Sequence, residues 1–308
     1  MTMLDVQMGA ELKAAPEAVK RQEQVLSVTL APLVARLRRK PPQVVVTCAR
    51  GSSAHAATFG KHLIERYLGI PVATAAPNIA SVYRKRLGLG DQLFLAISQS
   101  GRSGDLIEQS AAARASGAVT ACITNDTGSE LARNCEFVLP MAAGPELSVP
   151  VTKTFIASLS ALARLTALWA DDKALAGALQ RLPDRLIASC QLDWSRLVES
   201  ITGEDSLVTI GRGPTLAIAR EAALKLKETS NLHAEAFSAA EFLHRPISLV
   251  SSGYPILMFT PTDAAAASMR QLADDLRTKG AALFTTTWTT KCRSRQDALG
   301  NRERPEAL

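Results

Sequence analysis

The stretch Gln92-Leu93-Phe94-Leu95-Ala96-Ile97, followed without a break by Ser98-Gln99-Ser100-Gly101-Arg102-Ser103-Gly104, decides the fold class. An apolar run delivers a serine- and glycine-rich turn, and Asp105 to Ala115 then reads as a helix. Working outward, Gln43 to Cys48 is another apolar run. It breaks at Arg50-Gly51-Ser52-Ser53 and leads into a helix through Lys61-His62-Leu63-Ile64-Glu65. Pro71 to Thr74, Ala118 to Thr124 and Phe137 to Pro140 read as further strands, and Lys153 to Ala170 as a helix. Short apolar runs alternating with longer helical segments are the pattern of a parallel sheet covered by helices, an α/β chain.

The arrangement then starts again. Ser206 to Ile210 breaks at Gly211-Arg212-Gly213-Pro214 and opens a helix, with the proline where helix starts tolerate it. Tyr254 to Phe259 reads as a strand, Ala264 to Lys279 as a helix and Ala281 to Phe284 as a strand. Two strand–turn–helix halves suggest an internal duplication. The expected division is a helical segment 1–24, a first domain 25–170, a helical linker 171–194 with Pro183 and Trp194, and a second domain 195–284. From Thr285 the chain becomes polar and arginine-rich and loses periodicity. The second domain therefore reads as incomplete, and 285–308 as an atypical tail, either natural and disordered or an altered reading frame.

At 308 residues the chain has room for one large domain or two ordinary ones. Its 47% hydrophobic and 21% charged content is that of a globular protein. No run approaches the roughly 18 apolar residues of a membrane span, and the N-terminal stretch lacks the apolar core of a secretory signal. Five cysteines without a CxxC pair argue against a disulfide framework or a structural zinc site and point to a reducing cytoplasm. The net charge of +6 is dispersed. Its densest run, Arg36 to Lys40, ends a predicted helix where cations are favourable, so no nucleic-acid partner is expected.

Two segments carry candidate chemistry. Free N–H groups at a helix start make an anion site, and the Ser98–Ser103 turn surrounds one with hydroxyls. An ordinary serine-capped turn is the competing reading. The Gly51-Ser52-Ser53 turn has the same design and would lie beside it in a doubly wound sheet. Neither GxGxxG nor GxxxxGK[ST] is present, so a small phosphorylated metabolite fits better than a nucleotide. In the second half, Glu221, Lys225 and Glu228 fall on one helix face, either a solvated salt-bridge ladder or a catalytic row. His233, Glu235, Glu241 and His244 follow in NLHAEAFSAAEFLHRP, and such groups serve proton shuttling. Their spacing matches no metal motif.

Together GSS, SQSGRS, PELSVPVTKTF and RGPTLAIAREAALKLKETSNLHAEAFSAAEFLHRP resemble the tandem sugar-isomerase (SIS) family over about residues 25–284. That family comprises the isomerase half of glutamine–fructose-6-phosphate aminotransferase and its stand-alone relatives. CARGSS and SQSGRS in a chain without a glutaminase segment are most similar to SIS-type glucosamine-6-phosphate deaminases. The resemblance implies two tandem SIS subdomains, each a parallel sheet flanked by helices, a cytoplasmic homodimer, and no metal or organic cofactor. By matching position it implies that Ser53, Ser98, Gln99, Ser100 and Ser103 hold the phosphate, with Ser52 alongside and the Val149 backbone against the sugar. Glu228 would move a proton between C1 and C2. His244 would assist ring opening, in this family often across a dimer interface, with Lys225 and Glu221 in support. The substrate implied is a hexosamine or ketohexose phosphate. An aminotransferase-type isomerase and a non-catalytic phosphosugar-binding protein are the alternatives. Ala54 stands where relatives often carry an acid. Nothing after Phe284, Lys291 included, resembles the family's closing segment.

Overall fold

The computed structural model describes residues 3–286 apart from Arg245, and the chain divides into two compact units that part at Asp193 and Trp194. The first unit opens with helices α1 (Met3–Lys13) and α2 (Ala15–Arg39). Alternation follows: β1 (Val45–Cys48), α3 (Ser52–Leu68), β2 (Val72–Thr74), α4 (Asn78–Ser81), β3 (Leu93–Ser98), α5 (Gly104–Ala115), β4 (Val119–Thr124), α6 (Glu130–Asn134) and β5 (Phe137–Pro140). Helices α7 (Lys153–Ala170), α8 (Lys173–Gln180) and α9 (Leu182–Ser189) complete it. The five strands are parallel in the order β2-β1-β3-β4-β5. Every residue of β3 and β4 is buried, as expected of central strands covered on both faces.

Phe94 and Ala96 of β3 pack with Leu106 of α5, Leu131 of α6 and Cys122 of β4 on one face. Leu93, Leu95 and Ile97 alternate to the other face, on which α3 and α7 lie. The basic run at Arg36 to Arg39 does end a helix, α2. Arg38 donates to the carbonyls of Leu168 and Trp169, which terminate α7, so the cations serve helix ends.

The second unit runs α10 (Ser195–Ile201), β6 (Ser206–Gly211), α11 (Thr215–Ser230), β7 (His233–Ser238), α12 (Ala239–His244), a 3₁₀ turn at Pro246–Leu249, β8 (Pro255–Phe259), α13 (Ala266–Thr278) and β9 (Ala282–Thr286). Its parallel sheet has the order β7-β6-β8-β9. Leu207 packs with Ala223 and Leu226 of α11. Val208 and Ile210, on the opposite face, pack with Phe242 of α12 and with Met269 and Leu272 of α13. The sheet thus separates α11 from α12.

Strand β7 is an element the apolar-run reading left out, and β9 extends through Thr285 and Thr286, beyond the predicted end at Phe284. Residues 287–308 of the predicted tail, with Lys291 and Cys292, lie outside the described residues. Helix α2 runs unbroken through positions 24 and 25. Among the described residues no helix is long and apolar enough to cross a membrane.

Candidate active site

In the first unit the sheet order reverses direction at β1 and β3, which pair along Val45 to Cys48, and open α/β sheets bind ligands outside the carboxyl ends at such a point. Both predicted turns emerge there. Ser103 stands just before α5, its side chain capping no N–H, and Gly51 stands just before α3, again without a side-chain cap. Two helix N-termini therefore bring uncapped N–H groups to neighbouring strand ends, and their dipoles favour an anion.

The serine turn is stiffened from within. Gly101 donates its N–H to Ser98 Oγ at 3.1 Å, and Arg102 donates to Ser100 Oγ at 3.3 Å. The Gln99 carbonyl accepts the Asn125 N–H at 3.0 Å and the Gly101 carbonyl accepts the Leu131 N–H at 3.2 Å, so the turn is pinned to the segment after β4. Gly101 stands at φ +62°, and a Cβ there would run into the Ser129 side chain. The two turns are tied by an ion pair between Arg50 and Asp105. Asp105 also accepts the Ser81 hydroxyl at 2.6 Å.

Over this turn lies a shallow cleft of about 250 Å³ lined by Gln99, Ser100, Arg102, Asn125 and Asp126. Ser100 is exposed, Ser52, Ser53, Gln99 and Ser103 are half-buried, and Ser98 is buried beneath. Sequence reading missed Asn125 and Asp126. The available signal was their place just past the carboxyl end of a predicted strand. Cys48, which ends β1, is buried, and burial pushes its thiol up to about 11 despite Arg50 nearby.

Val149 lies in the strap from Met141 to Thr152 that joins β5 to α7, and the residue is 75% exposed. Asn125 anchors the near end of the strap, accepting the Ala143 N–H at 2.9 Å and donating to the Gly144 carbonyl at 2.8 Å.

The second unit holds the predicted acid–base groups. Lys225, its side chain only 16% exposed, bridges Glu221 at 3.1 Å and Glu228 at 3.0 Å. Glu221 is buried and Glu228 is exposed in the last turn of α11, so the three predicted residues do form one row. His244 is not in it. It ends α12 on the opposite sheet face, near the carboxyl end of β7, whereas Glu228 lies beside the start of β7.

The other candidates of that segment separate. His233 and Glu235 are exposed on β7. Glu241 is a helix cap: it accepts the Ser238 N–H while Ser238 Oγ accepts the Glu241 N–H, each at 3.2 Å. Hydrogen bonds from the Ser238 side chain and then its backbone N–H hold the Glu241 carboxyl below its ordinary range, with Arg220 adding to the effect. Among the described residues no group of His, Cys, Asp and Glu could hold a metal ion. Cys48, Cys122, Cys135 and Cys190 are unpaired.

The SIS domain model matches residues 39–168 and 200–291. This chain belongs to the SIS domain family. Both SIS matches contain one of the parallel sheets. A crystal structure from Silicibacter pomeroyi DSS-3, provisionally named a phosphosugar isomerase, is 44% identical, with a TM-score of 0.88 over 91% of this chain and 86% of that one. The C-terminal domain of glucosamine-fructose-6-phosphate aminotransferase from Francisella tularensis is 27% identical, with a TM-score of 0.80 over 91% of this chain and 82% of that one. Glutamine–fructose-6-phosphate aminotransferase [isomerizing] of Symbiobacterium thermophilum is 38% identical over 77% of this chain, which spans 41% of that protein. This SIS chain spans less than half the length of the curated relatives it matches.

Proposed function

We propose that the protein is an amino-sugar phosphate isomerase that converts glucosamine 6-phosphate to fructose 6-phosphate and ammonia. The observation that carries this reading is the half-buried Lys225 bridging a buried Glu221 to an exposed Glu228, which ties one carboxylate to the body of the helix and leaves it facing outward. A solvated salt-bridge ladder needs no buried member, whereas a general base does need to be held. The paired helix N-termini, with Ser52, Ser53, Ser98, Gln99, Ser100 and Ser103, take the phosphate.

In the proposed reaction His244 assists opening of the pyranose to the aldehyde. Glu228 removes the C2 proton, giving an enaminol, and returns a proton to C1. The resulting ketimine at C2 adds water and expels ammonia, leaving the ketone of fructose 6-phosphate. Val149 offers its backbone to the sugar, Lys225 and Glu221 fix Glu228, and no cofactor takes part. A homodimer of this chain is the proposed assembly and the cytoplasm its proposed location.

The test is release of ammonia and fructose 6-phosphate from glucosamine 6-phosphate by the purified chain, with both products expected in equal amounts. Glu228→Gln should lower turnover by about 10²–10⁴-fold while inorganic phosphate still binds. An undiminished rate in that variant overturns the assignment. A second reading, an aminotransferase-type isomerase whose amino group comes from elsewhere, is favoured by the names of the Symbiobacterium and Francisella relatives. It predicts formation of glucosamine 6-phosphate from fructose 6-phosphate only when an amine source is supplied.

A further inference from the structure

The strap that carries Val149 is held by a residue far from it in sequence. Ser148 is 2% exposed while its neighbours Leu147 and Val149 are 74% and 75% exposed, so the chain turns inward at one residue and outward on either side. The inward residue meets Glu11 of α1. Glu11 Oε1 accepts the Leu147 N–H at 2.6 Å and the Ser148 N–H at 3.3 Å, and Glu11 Oε2 accepts the Ser148 hydroxyl at 2.6 Å. Glu11 is itself 8% exposed and Lys153, 7% exposed, lies 3.9 Å from its carboxylate. Lys153 donates in turn to the Pro145 carbonyl, and Glu146 accepts the Thr152 and Thr154 N–H groups at 2.9 and 3.2 Å. A buried carboxylate with three donors from two adjacent residues defines the backbone course through them more tightly than any single contact in the strap.

We propose that Glu11 is the positioning residue for sugar recognition: a carboxylate on α1 that contributes no atom to the substrate but sets the Leu147–Val149 backbone against which the hexose lies. This rests on the proposed reading that Val149 borders the sugar. It separates two contributions to affinity within the first unit. The phosphate is taken by the turns after β1 and β3, which Glu11 does not touch, and the sugar by a strap whose course Glu11 dictates.

The experiment compares the full-length wild type with Glu11→Gln, Glu11→Asp and Ser148→Ala by calorimetric titration with fructose 6-phosphate and, separately, with inorganic phosphate. Wild type should bind fructose 6-phosphate more tightly than inorganic phosphate. Glu11→Gln should weaken fructose 6-phosphate binding about tenfold and leave inorganic phosphate within about twofold, a difference that a general loss of folding would not produce. Ser148→Ala, which removes one donor and leaves the buried carboxylate with the other two, should fall between, and Glu11→Asp should recover part of the loss. Equal losses for both ligands, or none for either, overturn the proposal. Equal affinities of the wild type for the two ligands overturn both it and the reading of Val149. Binding with the expected differences but without product formation overturns only the catalytic reading.

Discussion

Gly101, in the turn that leads into α5, and Gly104, the first residue of α5, lie three positions apart yet impose different demands on the sequence. Gly101 has a positive φ of +62°, and a Cβ would meet the Ser129 side chain, whose hydroxyl caps α6 by accepting the Ala132 N–H. Gly104 has no neighbouring atom within 4 Å of a built Cβ. Gly101→Ala should therefore cost about 1–3 kcal/mol and weaken inorganic phosphate binding as the turn shifts. Gly104→Ala should leave stability unchanged or raise it. Denaturant midpoints of the two variants and their phosphate affinities decide the matter; equal behaviour would mean that the turn is not the stiff cradle described.

At the scale of elements, a charged group, Glu11, attaches α1 to the strap. Burial pushes the Glu11 carboxyl up, but the bonds from Ser148 and Leu147 and the Lys153 charge more than reverse this, leaving it below its ordinary value of about 4.5. A carboxyl whose pKa is depressed on folding contributes stability above its unfolded pKa and loses it as pH falls through the folded one. Wild type should thus exceed Glu11→Gln by a constant margin from neutral pH down to about 4.5, and that margin should shrink as the pH is lowered further. Urea unfolding across that pH series checks it; a margin that grows with acid would contradict the assigned bonds.

The elements also show what a sequence carries in legible form. The strand Leu93–Ser98 and the helix Lys153–Ala170 were readable because burial on both strand faces and an apolar helix face leave local patterns. The Glu221–Lys225–Glu228 row was readable because helical spacing alone aligns it. Strand β7 was not: at a sheet edge His233-Ala234-Glu235-Ala236 alternates exposed residues with a buried and a half-buried alanine and runs without a glycine into α12. The Ser238–Glu241 capping box marks that boundary, the one local signal available there. Glu11 was hidden for a simpler reason, since its partners lie 136 and 137 positions away.

For the molecule as a whole, the placement of Glu228 and His244 on opposite faces and near opposite ends of the second sheet has a consequence for assembly. On the proposed homodimer, with the two acting on one substrate from different copies of the chain, two inactive variants should complement each other. Mixing Glu228→Gln with His244→Asn under conditions that exchange subunits should restore about a quarter of wild-type activity, because each mixed dimer owns one intact site. Mixtures that stay inactive after proven subunit exchange would place both residues in the same copy.

The ion pairs around the serine turn bear on what an arriving phosphate meets. Arg50 pairs with Asp105 and Arg102 lies 3.4 Å from Asp126, so both of these cations have a counter-charge beside them. The attraction left over comes from peptide dipoles and hydroxyls fixed in direction by the fold. A cradle of that kind measures a ligand by how many acceptor oxygens it can offer at set angles rather than by how much charge it carries. Salt screens exposed charges strongly, so phosphate affinity at this cradle should fall less steeply with ionic strength than at a site built on unpaired cations.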